Sequence, residues 1–157
     1  MKALVIYDTF FGNTEQVARA ISDSLGAEST AIRVGDANHE QLTGLDLLIV
    51  GSPTRAFRPT KPISEFLDKI LRDGLKGVKV AAFDTRMSTA EVKSAVLGVM
   101  VKIFGYAAKP MADKLVKRGG ELVAPPEGFI VKDSEGPLRE GELERASAWA
   151  KRITGAE

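Results

Sequence analysis

Residues 3–7, Ala-Leu-Val-Ile-Tyr, are apolar without interruption. A strand with one wet face alternates polar and apolar side chains, whereas an unbroken apolar strand must be covered on both faces. Residues 46–51 (Asp-Leu-Leu-Ile-Val-Gly) and 78–83 (Val-Lys-Val-Ala-Ala-Phe) repeat the pattern, and a weaker strand is expected at 29–34. Between these runs the apolar period changes. Val17, Ala18, Ile21 and Leu25 fall on one helical stripe closed by Gly26, and Ile63, Phe66, Leu67, Ile70 and Leu71 fall on another. Met111, Leu115 and Val116 mark a helix ending at Gly119-Gly120. Residues 121–124 and 128–131 read as two pieces of a last strand. A terminal helix is expected over 140–153, with Leu143, Ala146, Trp149, Ala150 and Ile153 facing inward. Strands alternating with helices imply crossover connections and a parallel sheet covered on both faces. Polar turns should then follow the strands at 8–14, 52–62 and 84–88, at the carboxyl edge where such sheets bind ligands.

With 157 residues, no internal repeat and no low-complexity linker, the chain is expected to form one domain spanning 1–157. It has no cysteine, which excludes disulfides, thiol nucleophiles and cysteine-held iron–sulfur clusters and leaves redox chemistry to a bound cofactor. The single histidine, His39, excludes a multi-histidine zinc site, and no metal is expected. The 22 basic and 21 acidic side chains nearly cancel, so no whole-molecule field points to nucleic acid. The longest apolar run, 95–101, stops at Lys102, and the first residues are too briefly apolar for a secretion signal. No membrane span is expected, and the location is read as cytoplasmic.

The first turn carries the chemistry. Thr9-Phe10-Phe11-Gly12-Asn13-Thr14 leads straight from strand into helix. Hydroxyls at both ends, a glycine able to take an unusual backbone angle, and free amides at the helix start together form a cradle for an oxyanion. It holds no lysine, so it is not a nucleotide-hydrolysing P-loop, and it lacks the three spaced glycines of dinucleotide binders. The competing reading is that Thr9 and Asn13 only cap the helix.

The string Val5-Ile6-Tyr7-Asp8-Thr9-Phe10-Phe11-Gly12-Asn13-Thr14, continuing to Ala18 and Ile21, resembles the N-terminal signature of the flavodoxin family at each position that signature constrains. The order of strands and helices agrees with that family over nearly the whole chain. The resemblance implies a flavodoxin-like three-layer α/β sandwich, with a five-stranded parallel sheet in the order 2-1-3-4-5 and helices on both faces. It implies FMN as cofactor, with Thr9, Phe10, Phe11, Gly12, Asn13 and Thr14 wrapping the phosphate. It sets Ser52, Pro53, Thr54, Arg55, Ala56 and Phe57 against the ribityl chain and one side of the flavin ring. Asp84, Thr85, Arg86 and Met87 would approach the pyrimidine side. Phe57 is the candidate stacking partner, or else a plug at the domain edge. Many family members carry glycine and a tyrosine or tryptophan near the third turn, and this chain does not.

Charge is unevenly spread. Residues 52–120 hold 14 basic and 6 acidic side chains, and both flanking segments are net negative. Arg55, Arg58 and Arg86 cluster in the two ring turns, where cations would favour the anionic reduced flavin and an acidic partner. Ser88-Thr89-Ala90-Glu91 reads as a capping box opening an extra helix over about 88–106, which suits core packing, a pocket wall or a homodimer contact. His39 reads as a loop residue, Asp8 and Asp84 as caps or tuners of flavin protonation, and Trp149 as core. The reading that follows is an FMN-binding electron-transfer protein serving redox partner proteins, with no catalytic side chain. The alternative is an FMN-dependent NAD(P)H:quinone-type oxidoreductase.

Overall fold

The computed structural model describes residues 1–87 and 105–155. β1 (Ala3–Tyr7), β2 (Ser29–Arg33), β3 (Leu47–Pro53), β4 (Lys79–Met87), β5 (Glu121–Leu122) and β6 (Glu127–Val131) form one sheet with order β2-β1-β3-β4-β5, in which β6 also pairs with β4. Every pairing is parallel. β5 meets β4 at Lys79 and Val80 and β6 meets it from Phe83 to Met87, so the last strand is indeed in two pieces.

The pleat sorts the central strands onto two cores. Leu4, Ile6, Leu48, Val50, Val80 and Ala82 pack against α2 (Lys61–Asp68) and α3 (Ala108–Lys117). Ala3, Val5, Tyr7, Leu47, Ile49, Ala81 and Phe83 pack against α1 (Asn13–Leu25) and α4 (Glu142–Ile153). Since both faces of β1, β3 and β4 are buried, the unbroken apolar runs have their physical cause. β2 is the edge strand and only partly buried, which accounts for its weaker sequence signal.

Phe83, Phe129 and Trp149 meet edge to face, with centroids 5.9, 6.2 and 6.1 Å apart. Gly51 lies directly under the Phe83 ring, in space that a Cβ would have to share with that ring. Phe83 is fully buried and cannot step aside. Gly51→Ala is therefore expected to lower stability by roughly 1–3 kcal/mol, read as a lower denaturant midpoint at unchanged slope.

Three expectations need correction. The stripe through Leu71 overshoots: α2 ends at Asp68, Ile70 is buried from the following turn, and Leu71 is exposed. Leu143, expected to face inward, is exposed as well. In α4 the inward position is held by Glu142, whose charge is satisfied internally, so the adjacent Leu143 is turned about 100° away. The polar stretch Asp84-Thr85-Arg86-Met87 is no turn. It extends β4, because β6 supplies ladder partners along its whole length. The helix expected over about 88–106 falls outside the described residues, except that Gly105 and Tyr106 are not helical.

Candidate functional site

The loops that leave the carboxyl ends of β1, β3 and β6 and the last residues of β4 meet around one cavity of about 370 Å³, within the ~300–1,000 Å³ range of small-ligand sites. Of the expected site residues, Thr9, Phe10, Phe11, Asn13, Thr14, Pro53, Thr54, Arg55, Ala56, Thr85, Arg86 and Met87 line it. Gly12, Ser52, Phe57 and Asp84 are not in its wall; Val131 and Ser134 are added to it. The added pair lies where β6 ends, at the same carboxyl edge as the rest of the wall, so the edge rule applied to the last strand would have found it.

The first loop is built to leave amides free. Gly12 is the N-cap of α1, at φ +90°, and no side chain caps the helix. That backbone angle is the reason for glycine, because a Cβ there would meet nothing. Thr9 Oγ1 accepts from Gly12 N–H at 2.9 Å, and Thr9 N–H is taken by Asp8 Oδ1 at 2.9 Å. Asn13 turns away and donates to the Glu135 carbonyl at 3.1 Å. The helix-capping alternative for Thr9 and Asn13 therefore fails, since both side chains are used elsewhere. The first amides of α1 face the cavity end of the helix with its positive dipole and no internal acceptor. Thr14 Oγ1 shares a hydrogen bond with Thr85 Oγ1 at 2.8 Å, joining the first loop to β4.

One cation escaped sequence reasoning. Arg33 donates to the Thr9 carbonyl at 2.8 Å and stands 3.5 Å from Asp8 Oδ1. It braces the loop from outside. The signal was its register: Arg33 is the partner of Tyr7 across β1 and β2, one residue before Asp8.

The β3 loop is held at both ends. Ser52 Oγ accepts from Thr60 N–H at 3.0 Å and donates to the Pro53 carbonyl, and Thr60 caps α2, so Ser52 serves the fold. Thr54 N–H bonds the Thr85 carbonyl at 3.0 Å and its hydroxyl accepts from Ala107 N–H at 3.1 Å. Between them Arg55 and Arg58 close a two-residue turn through paired backbone bonds of 2.9 and 3.0 Å. Ala56 and Phe57 both take left-handed angles there, φ 48° and 69°, a costly choice for residues with a Cβ. The Arg55 guanidinium lies over the Phe10 ring at 4.8 Å.

At the end of β4, Asp84 is wholly buried and receives both Arg86 Nε (2.6 Å) and Arg86 Nη2 (2.7 Å), with Ala108 N–H at 2.9 Å. Arg86 is sandwiched between the Tyr106 ring, 3.6 Å away, and the bare backbone of Gly128. Burial pushes the Asp84 carboxyl above its ordinary range, against the opposing pull of Arg86 and the Ala108 amide. Arg86 thus reaches the cavity with its charge matched, unlike the free ring-side cation expected from sequence. Glu142, behind β6, differs in sign. Its burial disfavours charge, but Arg145, the Ile130 amide and Arg139 outweigh that and hold it below the ordinary value. His39 lies apart from the cavity, stacked on Phe66 at 4.2 Å with Nε2 2.9 Å from the Phe66 carbonyl. Among the described residues no cluster of three or more histidine or carboxylate side chains could hold a metal ion, and no helix is long and apolar enough to cross a membrane.

A doubly wound parallel sheet in this order, with an uncapped helix start after β1 and a cavity at the carboxyl edge beside β1 and β3, defines the flavodoxin-like class of α/β fold. The sequence matches the flavodoxin domain model over residues 4–124, and the chain belongs to the flavodoxin family. A flavodoxin of Aquifex aeolicus (strain VF5) is 37% identical over 76 residues, which are 46% of this chain and only 41% of that protein. Among solved structures, a flavodoxin from the domain Archaea superposes with TM-score 0.77 at 23% identity over 99% of this chain and 97% of that one. Flavodoxin 2 of Bacillus cereus superposes at 0.73, with 26% identity and 99% of both chains covered. The rubredoxin oxygen:oxidoreductase of Desulfovibrio gigas also superposes at 0.73, but 98% of this chain corresponds to 35% of that one. Membership of the family implies a flavin cofactor.

Proposed function

We propose that this chain, folded as one flavodoxin-like domain, binds FMN in the cavity and carries electrons between redox proteins. The observation that carries the reading is the uncapped start of α1, set among neutral donors at the cavity. The donor set fits a flavin mononucleotide: hydroxyls of Thr9, Thr14, Thr54, Thr85 and Ser134 and the helix amides suit phosphate and ribityl oxygens, and Pro53, Ala56, Met87 and Val131 supply apolar wall. Bound FMN supplies one- and two-electron chemistry. The chain's own work is to hold the phosphate without a cation, to keep water from the ring and to set the charge around it.

Arg55 forms no ion pair among the described residues and lines the cavity, so it is the cation that would favour a negative charge on reduced flavin. Arg55→Ala is expected to make the second reduction potential more negative by a few tens of millivolts, on the order of 1 kcal/mol, by potentiometric titration. Its partners would be redox proteins, acidic ones in particular, and its place the cytoplasm. The test is titration of purified protein with FMN, followed by fluorescence quenching and then by NAD(P)H with a quinone. One tightly bound FMN per chain with negligible NAD(P)H oxidation fits a carrier. Steady turnover would make it a quinone reductase, and absence of FMN uptake would overturn both.

A further inference from the structure

We propose that the aromatic, positively charged rim of the cavity, Phe10 and Phe11 with Arg55 and Arg58, is a docking surface for an acidic redox protein. The proposal names the kind of partner for the carrier reading and rests on that reading for its purpose, although its binding test does not. Phe10 and Phe11 are 55% and 49% exposed, in a molecule whose other phenylalanines among the described residues are buried or half-buried. Their rings stand 6.5 Å apart, tilted at 55°, on a loop where smaller residues would serve phosphate binding equally well. Exposed aromatics beside arginine are the composition of protein interface centres.

The charge gives the partner its sign. Arg55 and Arg58 sit on one two-residue turn, both exposed, and neither meets a carboxylate among the described residues. Lys61 and Lys109 open α2 and α3 at the same end of the sheet, and among the described residues their only acids are Glu65 at 3.8 Å and Asp113 at 3.2 Å, one turn further down. Such exposed pairs are weak, so neither ammonium is held to its carboxylate. Two acids at this end of the sheet are already engaged: Asp8 by Arg33 and Asp84 by Arg86. Asp133 and Glu135 lie across the cavity, in the loop after β6, so among the described residues the rim is positive on its β3 side and negative on its β6 side. A partner is thereby oriented as well as attracted. An anionic membrane surface is a poorer match, because that takes clusters of about 4–8 Lys or Arg and no paired aromatics over a cavity.

Mitochondrial cytochrome c, a basic protein, and its succinylated acidic form serve as probes of opposite charge on one haem protein. Binding of each to the immobilised protein is followed by surface plasmon resonance, with and without added FMN. The succinylated form should bind more tightly, and weaken about tenfold between about 20 and about 300 mM salt. Arg55→Glu/Arg58→Glu should weaken it by about tenfold at low salt, Arg58→Glu alone by less, and Phe10→Ser/Phe11→Ser should weaken it without changing the salt slope. Lys69→Glu/Lys76→Glu, of equal charge change on exposed lysines away from the rim, should have little effect. Tighter binding of the basic form, salt-independent binding, or equal losses from the two double charge reversals would each overturn the proposal. Failure to take up FMN would overturn the carrier reading instead, leaving the binding comparison to stand or fall separately.

Discussion

Replacing Thr9 and Thr14 together by valine is expected to weaken FMN binding by about 10²–10⁴-fold. A hydrogen bond to a charged group contributes about 1.5–3 kcal/mol, so losing two removes about 3–6 kcal/mol, at about 1.4 kcal/mol for each factor of ten. Both hydroxyls also organise the loop. Thr9 Oγ1 fixes Gly12 N–H, and Thr14 Oγ1 shares its bond with Thr85, so valine removes the two proposed phosphate donors and loosens the loop that leads into α1. Serine at the same positions keeps the oxygens and should retain most of the affinity. Dissociation constants from flavin fluorescence quenching decide the matter. An unchanged constant in the double valine variant would mean that the phosphate is held elsewhere.

Asp84→Ala is expected to cost about 3–5 kcal/mol of stability, because it strands the Arg86 guanidinium, largely covered by Tyr106 and Gly128, and leaves the Ala108 amide without its acceptor. Asp84→Asn keeps the shape and should cost less, and its pH dependence is the sharper measurement. Burial raises the Asp84 pKa in the folded protein, so the folded state holds this proton to higher pH than the unfolded chain does. The carboxyl's contribution to stability is then greatest at acid pH and declines as pH rises from the ordinary aspartate value, about 4, through the raised folded value. The margin of the parent protein over Asp84→Asn, from urea denaturation at a series of pH values, should shrink across that window. A margin that grows with pH would mean that Arg86 outweighs burial.

The sheet was legible wherever burial was two-sided. Ala3–Tyr7 and residues 46–51 could only be central strands, and the period change at Asn13 could only begin a helix. The errors fall where a polar residue does an apolar residue's work. Asp84 and Arg86 read as turn chemistry because nothing local reveals that they neutralise each other inside a strand. Glu142 displaced Leu143 from the inward stripe for the same reason: its partners Arg145, Arg139 and the Ile130 amide assemble only after folding. In the cavity, the β1 loop was visible because glycine, hydroxyls and a helix start leave a local pattern. Arg33, Val131 and Ser134 come from elements that approach in space alone, and their contribution follows from strand order, which the residues by themselves do not state.

Asn13, at the opening of α1, is tied to the Glu135 carbonyl 122 residues later, and Val131 and Ser134 close the same side of the cavity. During synthesis, which adds about 5–20 residues per second, the cradle emerges early, but its far wall exists only once the chain has passed residue 135. Loading of a flavin in this cavity would therefore wait until residue 135 has emerged and folded back. A nascent fragment that stops short of residue 131 would lack that wall.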